Sequence, residues 1–183
     1  MCGIAGLIHR GSTHNVGWEA TQTLQALKHR GPDSTGFALY SPARTGDERV
    51  IRFKVAEQDD MKKRLRGKKL VEERRGEVDE RLKDLGVQID EQTAVTPYAF
   101  RYVVRYGGDL EELVANIEDV EGSEVLSLGH SLELIKDLGD ATSVAERYGL
   151  GDFTGTHAIG HTRMATESDV DIRSAHPYWA YPF

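Results

Sequence analysis

Cysteine is nearly absent from this 183-residue sequence, since Cys2 is its only one. A single cysteine excludes an internal disulfide framework and any metal site built from several thiolates. Long apolar runs are also missing: none approaches the roughly 18 residues of a membrane span. The first residues, MCGIAGLIHR, lack the basic region that opens a secretory signal. These absences predict a cytoplasmic protein without a membrane segment.

Positive charge is in deficit, with 23 Lys and Arg against 30 Asp and Glu, a net charge of -7. This balance disfavours nucleic acid as the main partner. The basic cluster at 62–69 is followed closely by glutamates at 72–80, a pattern typical of a solvated helix face. The length and the apolar fraction of 39% predict one domain with a substantial core.

Both ends of the chain carry the patterns of an α+β protein. The helix prediction depends on Trp18, Leu24 and Leu27, whose spacing suits one helix face, and on Gly31-Pro32, which cannot continue a helix. Residues 50–55 alternate well enough to be the hairpin partner of 34–40. The predicted elements are a strand at 2–8, a helix at 17–27, and strands at 34–40, 50–55 and 156–162.

The middle of the chain has a different composition. Residues 57–84 are densely charged and helical in propensity, whereas 96–106 is aromatic and β-branched, as in a strand. The remaining predicted elements are a helix at 109–117, a strand at 124–128 and short helices at 132–138 and 144–148. This pattern predicts a small α/β lobe at 56–155, inserted between two parts of another domain at 1–55 and 156–183.

Cys2 is the candidate catalytic residue. Its thiol is nucleophilic only as the thiolate. Removal of Met1 would give Cys2 a free α-amino group, a type of group with a reference pKa of about 7.7–8.0 that can serve as a general base. Nucleophile and base would then belong to one residue. The alternative is a small buried hydrophobe at the start of a strand, which is common for free cysteine.

Three segments in this order resemble the class II glutamine amidotransferases, a family of N-terminal-nucleophile hydrolases. They are MCGIAG at 1–6, HRGPDSTG at 29–36 and GHTRMAT at 160–166, and AHP at 175–177 extends the match. The resemblance covers about residues 1–55 and 156–183, and the residues between them carry no motif of the family.

The resemblance implies a four-layer αββα sandwich, incomplete in this chain, that hydrolyses the side-chain amide of L-glutamine. Cys2 would form a glutamyl thioester, and the ammonia would pass to a partner synthase. Arg163 would grip the substrate α-carboxylate, with Thr166 near the same end of the substrate. Arg30, Gly31 and Asp33 would position the nucleophile.

Simpler interpretations of these residues stay open. Arg30 is also explained as a cation at a helix C-terminus, and Arg163 as a surface arginine at a strand end. His157 and His161 are four residues apart, but they fall in a predicted strand without an obvious third ligand. We therefore expect no metal site.

The sequence also departs from the family. An Asn-Gly pair supplies the family's oxyanion hole, and neither Asn15 nor Asn116 is followed by glycine. Four aromatic residues lie among the last six, at 178, 179, 181 and 183. We therefore expect this chain to be an N-terminal portion, or half of a split protein that a second chain completes.

The long insertion most resembles that of stand-alone amidotransferase components of glutamate-synthase-like enzymes. This resemblance implies no cofactor in this chain and a partner subunit that carries FMN and an iron–sulfur cluster. The alternative is a non-catalytic amidotransferase-like subunit that binds partners or senses glutamine. The missing Asn-Gly pair favours that alternative if the native protein lacks it.

Overall fold

The computed structural model describes residues 1–165, 172 and 174–180. The chain folds as two compact units. We call Met1–Ala43 with Ser131–Trp179 the terminal unit, and Arg44–His130 the inserted unit. The inserted unit thus begins and ends earlier in the chain than the predicted lobe at 56–155. No described helix combines the length and apolar character needed to cross a membrane.

Eight strands and five α-helices make up the regular structure of the described residues. In chain order they are β1 Gly3–Ile8, α1 Val16–Ala26, β2 Ser34–Tyr40, β3 Glu48–Lys54, α2 Gln58–Met61, α3 Leu65–Asp84, β4 Gln88–Ala94, β5 Ala99–Arg105, α4 Leu110–Glu118, β6 Glu124–Gly129, β7 Leu132–Leu138, α5 Ala141–Tyr148 and β8 His157–Arg163. One-turn 3-10 helices add Lys28–Arg30 and Leu150–Asp152.

The terminal unit is an antiparallel sheet in the order β1-β8-β2-β7, with α1 and α5 packed against one face. Leu24 of α1 and Phe37 of β2 are completely buried in this layer. Helix and sheet approach closely at Gly160, where a Cβ would lie 2.3 Å from the Leu24 Cδ1. Burying each large side chain contributes roughly 1.5–3 kcal/mol, so this layer forms the core of the unit.

The other face of the same sheet is partly open. Ile4, Ile8 and Ile159 are exposed by 73%, 78% and 48%. Strand alternation places these three side chains on the face opposite α1. Across β2, the chain at His176 crosses that face so closely that a Cβ on Gly36 would lie 1.9 Å from the His176 carbonyl oxygen. The described residues therefore form a helix layer and a sheet layer, and the four-layer sandwich stays a prediction.

The inserted unit has its own antiparallel sheet, in the order β4-β5-β3-β6. Its core includes Val78 and Leu82 of α3, and Leu113 and Ile117 of α4, all fully buried. The buried hydroxyl of Tyr102 donates to Asp79 of α3 at 2.7 Å. Burial, followed by the hydrogen bond to Asp79, raises the pKa of Tyr102 far above its usual value, so that it remains a donor.

Several sequence predictions of secondary structure are confirmed, because α1, β2, α4, β6, α5 and β8 lie within a few residues of their expected positions. Two predictions are wrong. Residues 132–138 form strand β7, not a helix, and β3 pairs with β5 and β6 instead of forming a hairpin with β2. Leu132, Leu134 and Leu138 are separated by two and four residues, a spacing that suits one face of a strand, and β7 pairs with β2 along its whole length.

Strand β7 contains charged side chains that the sheet buries. Asp137 is fully buried and lies 2.7 Å from the Arg147 Nη1 of α5, and its carboxylate also accepts from the Leu138 backbone N–H. A buried carboxylate needs such partners, because removing an ion from water costs several kcal/mol.

Replacing Arg147 by methionine should therefore destabilise the protein strongly. The variant keeps much of the side-chain volume but leaves the Asp137 charge buried without its cation, and we expect a loss of about 3 kcal/mol. The measurement is urea denaturation followed by circular dichroism. Arg105→Met is the matched control, since its ion pair with Asp90 involves a 60% exposed arginine and should contribute less than about 1 kcal/mol. Equal losses in both variants would contradict the expectation.

Candidate active site

The register of the terminal sheet brings the motif residues to one end of it. Gly3 lies opposite Thr162 in the antiparallel pair of β1 and β8, so continuing the register by one residue sets Cys2 opposite Arg163. On the other side of β8, Ser34 of β2 also lies opposite Arg163. The starts of β1 and β2 therefore flank the end of β8.

Asp33 connects three of the chain segments at this end. Its backbone N–H donates to the Arg163 carbonyl at 3.1 Å, and its own carbonyl accepts from the Gly139 N–H at 3.0 Å. Its carboxylate accepts from the Ala165 N–H at 2.7 Å. Asp33 thus holds the backbone at Arg163 and at Ala165, two residues further on.

Position 31 requires glycine because a neighbouring backbone segment leaves no room for a side chain. Its φ of -168° is open to any residue. A Cβ there would lie 2.5 Å from the Arg163 carbonyl carbon and 2.6 Å from the Thr162 carbonyl oxygen, which real structures do not tolerate. Arg30, just before it, is half-buried and ends the 3-10 turn.

Cys2 and Arg163 differ in accessibility. Cys2 is a free, exposed thiol, whereas Arg163 is only 6% exposed. The chain's amino group lies 3.2 Å from the Met164 sulfur, so the amino end lies beside the segment that follows β8. Thr166, the other predicted substrate contact, lies outside the described residues.

Two histidines outside the predicted set of site residues lie beside Arg163. His161 shares a strand face with Arg163, and the His176 ring is centred 4.7 Å from the His161 ring. Burial, then the neighbouring His176 and Arg163, lower the pKa of His161. Burial, then Arg163 and Lys136, lower the pKa of His176. Both imidazoles are therefore favoured in the neutral form.

The period-two pattern of β8 was the signal for His161, because a strand places residues two apart on one face. No sequence pattern indicated the contact between Gly139 and Asp33, because the sequence predicts a helix at 132–138, directly before Gly139. Three buried polar atoms near this end have no hydrogen-bond partner within the described part of the chain: Ser34 Oγ, Thr162 Oγ1 and His161 Nδ1. Ser34 and His161 share the sheet face of Arg163 and give it hydrogen-bonding capacity for a polar ligand, whereas Thr162 lies on the helix face.

Chemically, the site combines an exposed nucleophile with a buried cation. A thiolate attacks electrophilic carbon, and a guanidinium fork binds a carboxylate bidentately. Because Cys2 and Arg163 are at adjacent positions on neighbouring strands, the two groups suit the two ends of one small substrate.

Enlarging Gly31 should disturb the backbone under Arg163. Gly31→Ala inserts a methyl group where none fits, and we expect a loss of about 1–3 kcal/mol in the free energy of unfolding. Gly76→Ala is the control: nothing lies within 4 Å of its Cβ position in α3, and alanine should stabilise the helix by up to about 1 kcal/mol. Urea denaturation measures both, and a neutral Gly31→Ala would contradict the close approach.

The lowered pKa of His161 predicts that acid destabilises the terminal unit. Between the ordinary value of 6.5 and the lowered value, the unfolded chain binds a proton that the folded protein does not. The stability that His161 contributes is fully present above its ordinary pKa of 6.5 and is lost as the pH falls towards the lowered pKa. We expect the free energy of unfolding to decrease from about pH 7.5 to about pH 5.5, measured by urea denaturation with the fluorescence of Trp18 and Trp179.

His161→Asn should reduce this pH dependence because asparagine does not titrate. His29→Asn removes an exposed histidine and should leave it unchanged. Identical pH dependence in all three proteins would exclude His161 as its source.

No protein-family model matches the chain. A Methanothermobacter thermautotrophicus protein named "Putative glutamine amidotransferase" is 35% identical over 185 residues, covering 99% of this chain and 57% of the relative. The "Glutamine amidotransferase-like protein GlxB" of Rhizobium meliloti is 29% identical over 181 residues, covering 97% of this chain and 54% of the relative. The chain thus spans somewhat more than half the length of these curated relatives. Over nearly all of its own length, it is related to proteins named glutamine amidotransferase or glutamine amidotransferase-like.

Proposed function

We propose that this chain is the glutaminase component of a class II glutamine amidotransferase. With Met1 removed, the Cys2 thiolate attacks the side-chain amide carbon of L-glutamine, and the amide nitrogen leaves as ammonia. Water then cleaves the resulting thioester, which releases glutamate and restores the thiol. The observation that supports the proposal is the strand register, which pairs Gly3 with Thr162 and, continued by one residue, sets Cys2 opposite Arg163.

Arg163 holds the substrate in this mechanism. Its backbone is fixed by Asp33 and by the close approach of Gly31, so its guanidinium starts from an ordered position. Neighbouring strands are about 4.8 Å apart. That spacing suits glutamine, whose α-carboxylate and amide carbon are separated by three carbon atoms. The carboxylate pairs with Arg163 while the amide carbon faces Cys2.

The free α-amino group of Cys2 acts as the general base. It takes the thiol proton and later delivers a proton to the departing ammonia, the role that amines play in N-terminal nucleophiles. The proximity of the Met1 amine to Met164 supports an amino end held beside the site. Thr166 is assigned to the same end of the substrate by its motif alone.

For the fold, we propose that the terminal sheet and its helices form two layers of a four-layer αββα sandwich. The exposed Ile4, Ile8 and Ile159 support a second sheet packing on this face, because contiguous exposed apolar side chains mark an interaction surface. We assign the oxyanion donors to another segment or a second chain, since neither asparagine of this sequence precedes glycine.

For the wider reaction, we propose that ammonia passes to a glutamate-synthase-like partner in the cytoplasm. FMN and an iron–sulfur cluster belong to that partner, and this chain itself holds no cofactor. The competing function is that of a non-catalytic subunit that binds partners or senses glutamine, and absence of the Asn-Gly pair from the native protein would favour it. Covalent labelling separates the two functions.

A diazoketone analogue of glutamine should label the native protein, in the complex in which it is isolated, at Cys2 with Met1 absent. Peptide mass spectrometry identifies the site. Arg163→Met should slow this labelling at least about tenfold, because a charge-assisted hydrogen bond contributes about 1.5–3 kcal/mol. Cys2→Ser should abolish it.

Iodoacetamide is the matched control reagent, since it alkylates an exposed thiol and has no carboxylate for Arg163 to bind. Arg163→Met should leave its rate at Cys2 unchanged. Retention of Met1 together with no diazoketone labelling would exclude the catalytic proposal and favour the non-catalytic subunit.

A further inference from the structure

A second cluster of reactive side chains lies at the other end of β1 from Cys2. It consists of His9, His14 and Glu19, which each offer one ligand atom, all within 4.8 Å of one another. The His9 Nε2 lies 2.5 Å from the Glu19 Oε2. The two imidazole rings stack with centroids 3.8 Å apart and planes inclined by 18°.

The backbone beneath each of the three residues is fixed by hydrogen bonds. The His9 N–H donates to the Thr156 carbonyl at 2.7 Å. His14 exchanges hydrogen bonds of 2.8 and 2.9 Å with Gly155. Glu19 belongs to the first turns of α1, so the helix fixes its backbone. The cluster is therefore assembled by the end of a strand, a bridged loop and a helix, rather than by one mobile segment.

Two imidazoles and a carboxylate form a donor set typical of zinc. Tetrahedral Zn²⁺ with bonds of about 2.0–2.1 Å requires ligand atoms about 3.3 Å apart. The separations in the cluster extend from 2.5 Å to at most 4.8 Å, so small side-chain rotations bring all three atoms onto one ion. The carboxylate also offsets part of the charge of the cation.

We propose that His9, His14 and Glu19 form a Zn²⁺ site with a fourth coordination position open to solvent. His14 is exposed and the other two residues are half-buried, so the ion reaches the site from the surface. The bound ion would cross-link the loop after β1 to α1. It lies about 20 Å from Cys2, the length of a six-residue strand, and takes no part in the proposed glutamine hydrolysis.

The test is calorimetric titration of the 183-residue protein with zinc sulfate at about pH 7.5. All proteins carry Cys2→Ser, because an exposed thiol is itself a zinc ligand. We expect one equivalent of Zn²⁺ to bind. His14→Asn should weaken binding at least about tenfold, whereas His29→Asn, which removes an exposed histidine elsewhere, should leave it unchanged.

Two further measurements locate the ion. Co²⁺ in the same protein should give the visible absorption of a tetrahedral site, and His9→Asn should abolish it. Zinc affinity should fall from about pH 7.5 to about pH 5.5, because imidazoles must lose their protons to bind metal.

Three outcomes would overturn the proposal: no binding in the Cys2→Ser protein, unchanged affinity in both His9→Asn and His14→Asn, or equal weakening by His29→Asn. Circular dichroism of each variant shows whether it is folded, and variants at exposed His14 are the ones on which the conclusion depends. Because every protein tested lacks the thiol, the result is independent of whether Cys2 is a nucleophile.

Discussion

The antiparallel pairing of β8 between β1 and β2 is the constraint on which the rest of the terminal unit depends. It joins segments that are far apart in the chain, since Gly3 lies opposite Thr162 and Ser34 opposite Arg163. Side chains alternate along strands, so one register decides both which residues meet and which face they share. A shift of one residue would move Arg163 to the helix side and separate it from the face of Cys2.

The ends of these strands are fixed by backbone contacts more than by side-chain packing. Asp33 uses its N–H, carbonyl and carboxylate to hold two other segments, at Gly139 and at Arg163 to Ala165, and Gly31 lets the chain pass directly against the Arg163 backbone. Such contacts leave little freedom in the position of the buried arginine. Cys2, one residue before β1, remains an exposed thiol.

Local signals predicted much of the structure, but only where they agreed with tertiary pairing. Periodicity predicted α1, and the structure adds a cap, since Asn15 accepts from the Trp18 N–H at 3.0 Å. The local interpretation failed at β7, where residues 132–138 form a strand instead of the predicted helix. There the deciding factor was a partner remote in sequence, because β7 pairs along its whole length with β2. Strand β4 was missed because its residues are mostly polar and exposed.

By itself, the sequence determined the motif residues Cys2, Gly31, Asp33 and Arg163, because their chemistry and order are local properties of the chain. It also determined most of the helices and strands, through short-range periodicity. Only the tertiary structure decided that these residues share one end of a sheet, that His161 and His176 lie beside them, and that His9, His14 and Glu19 converge at the other end. Those facts follow from strand pairing across more than a hundred residues, where local preference carries no information about partners.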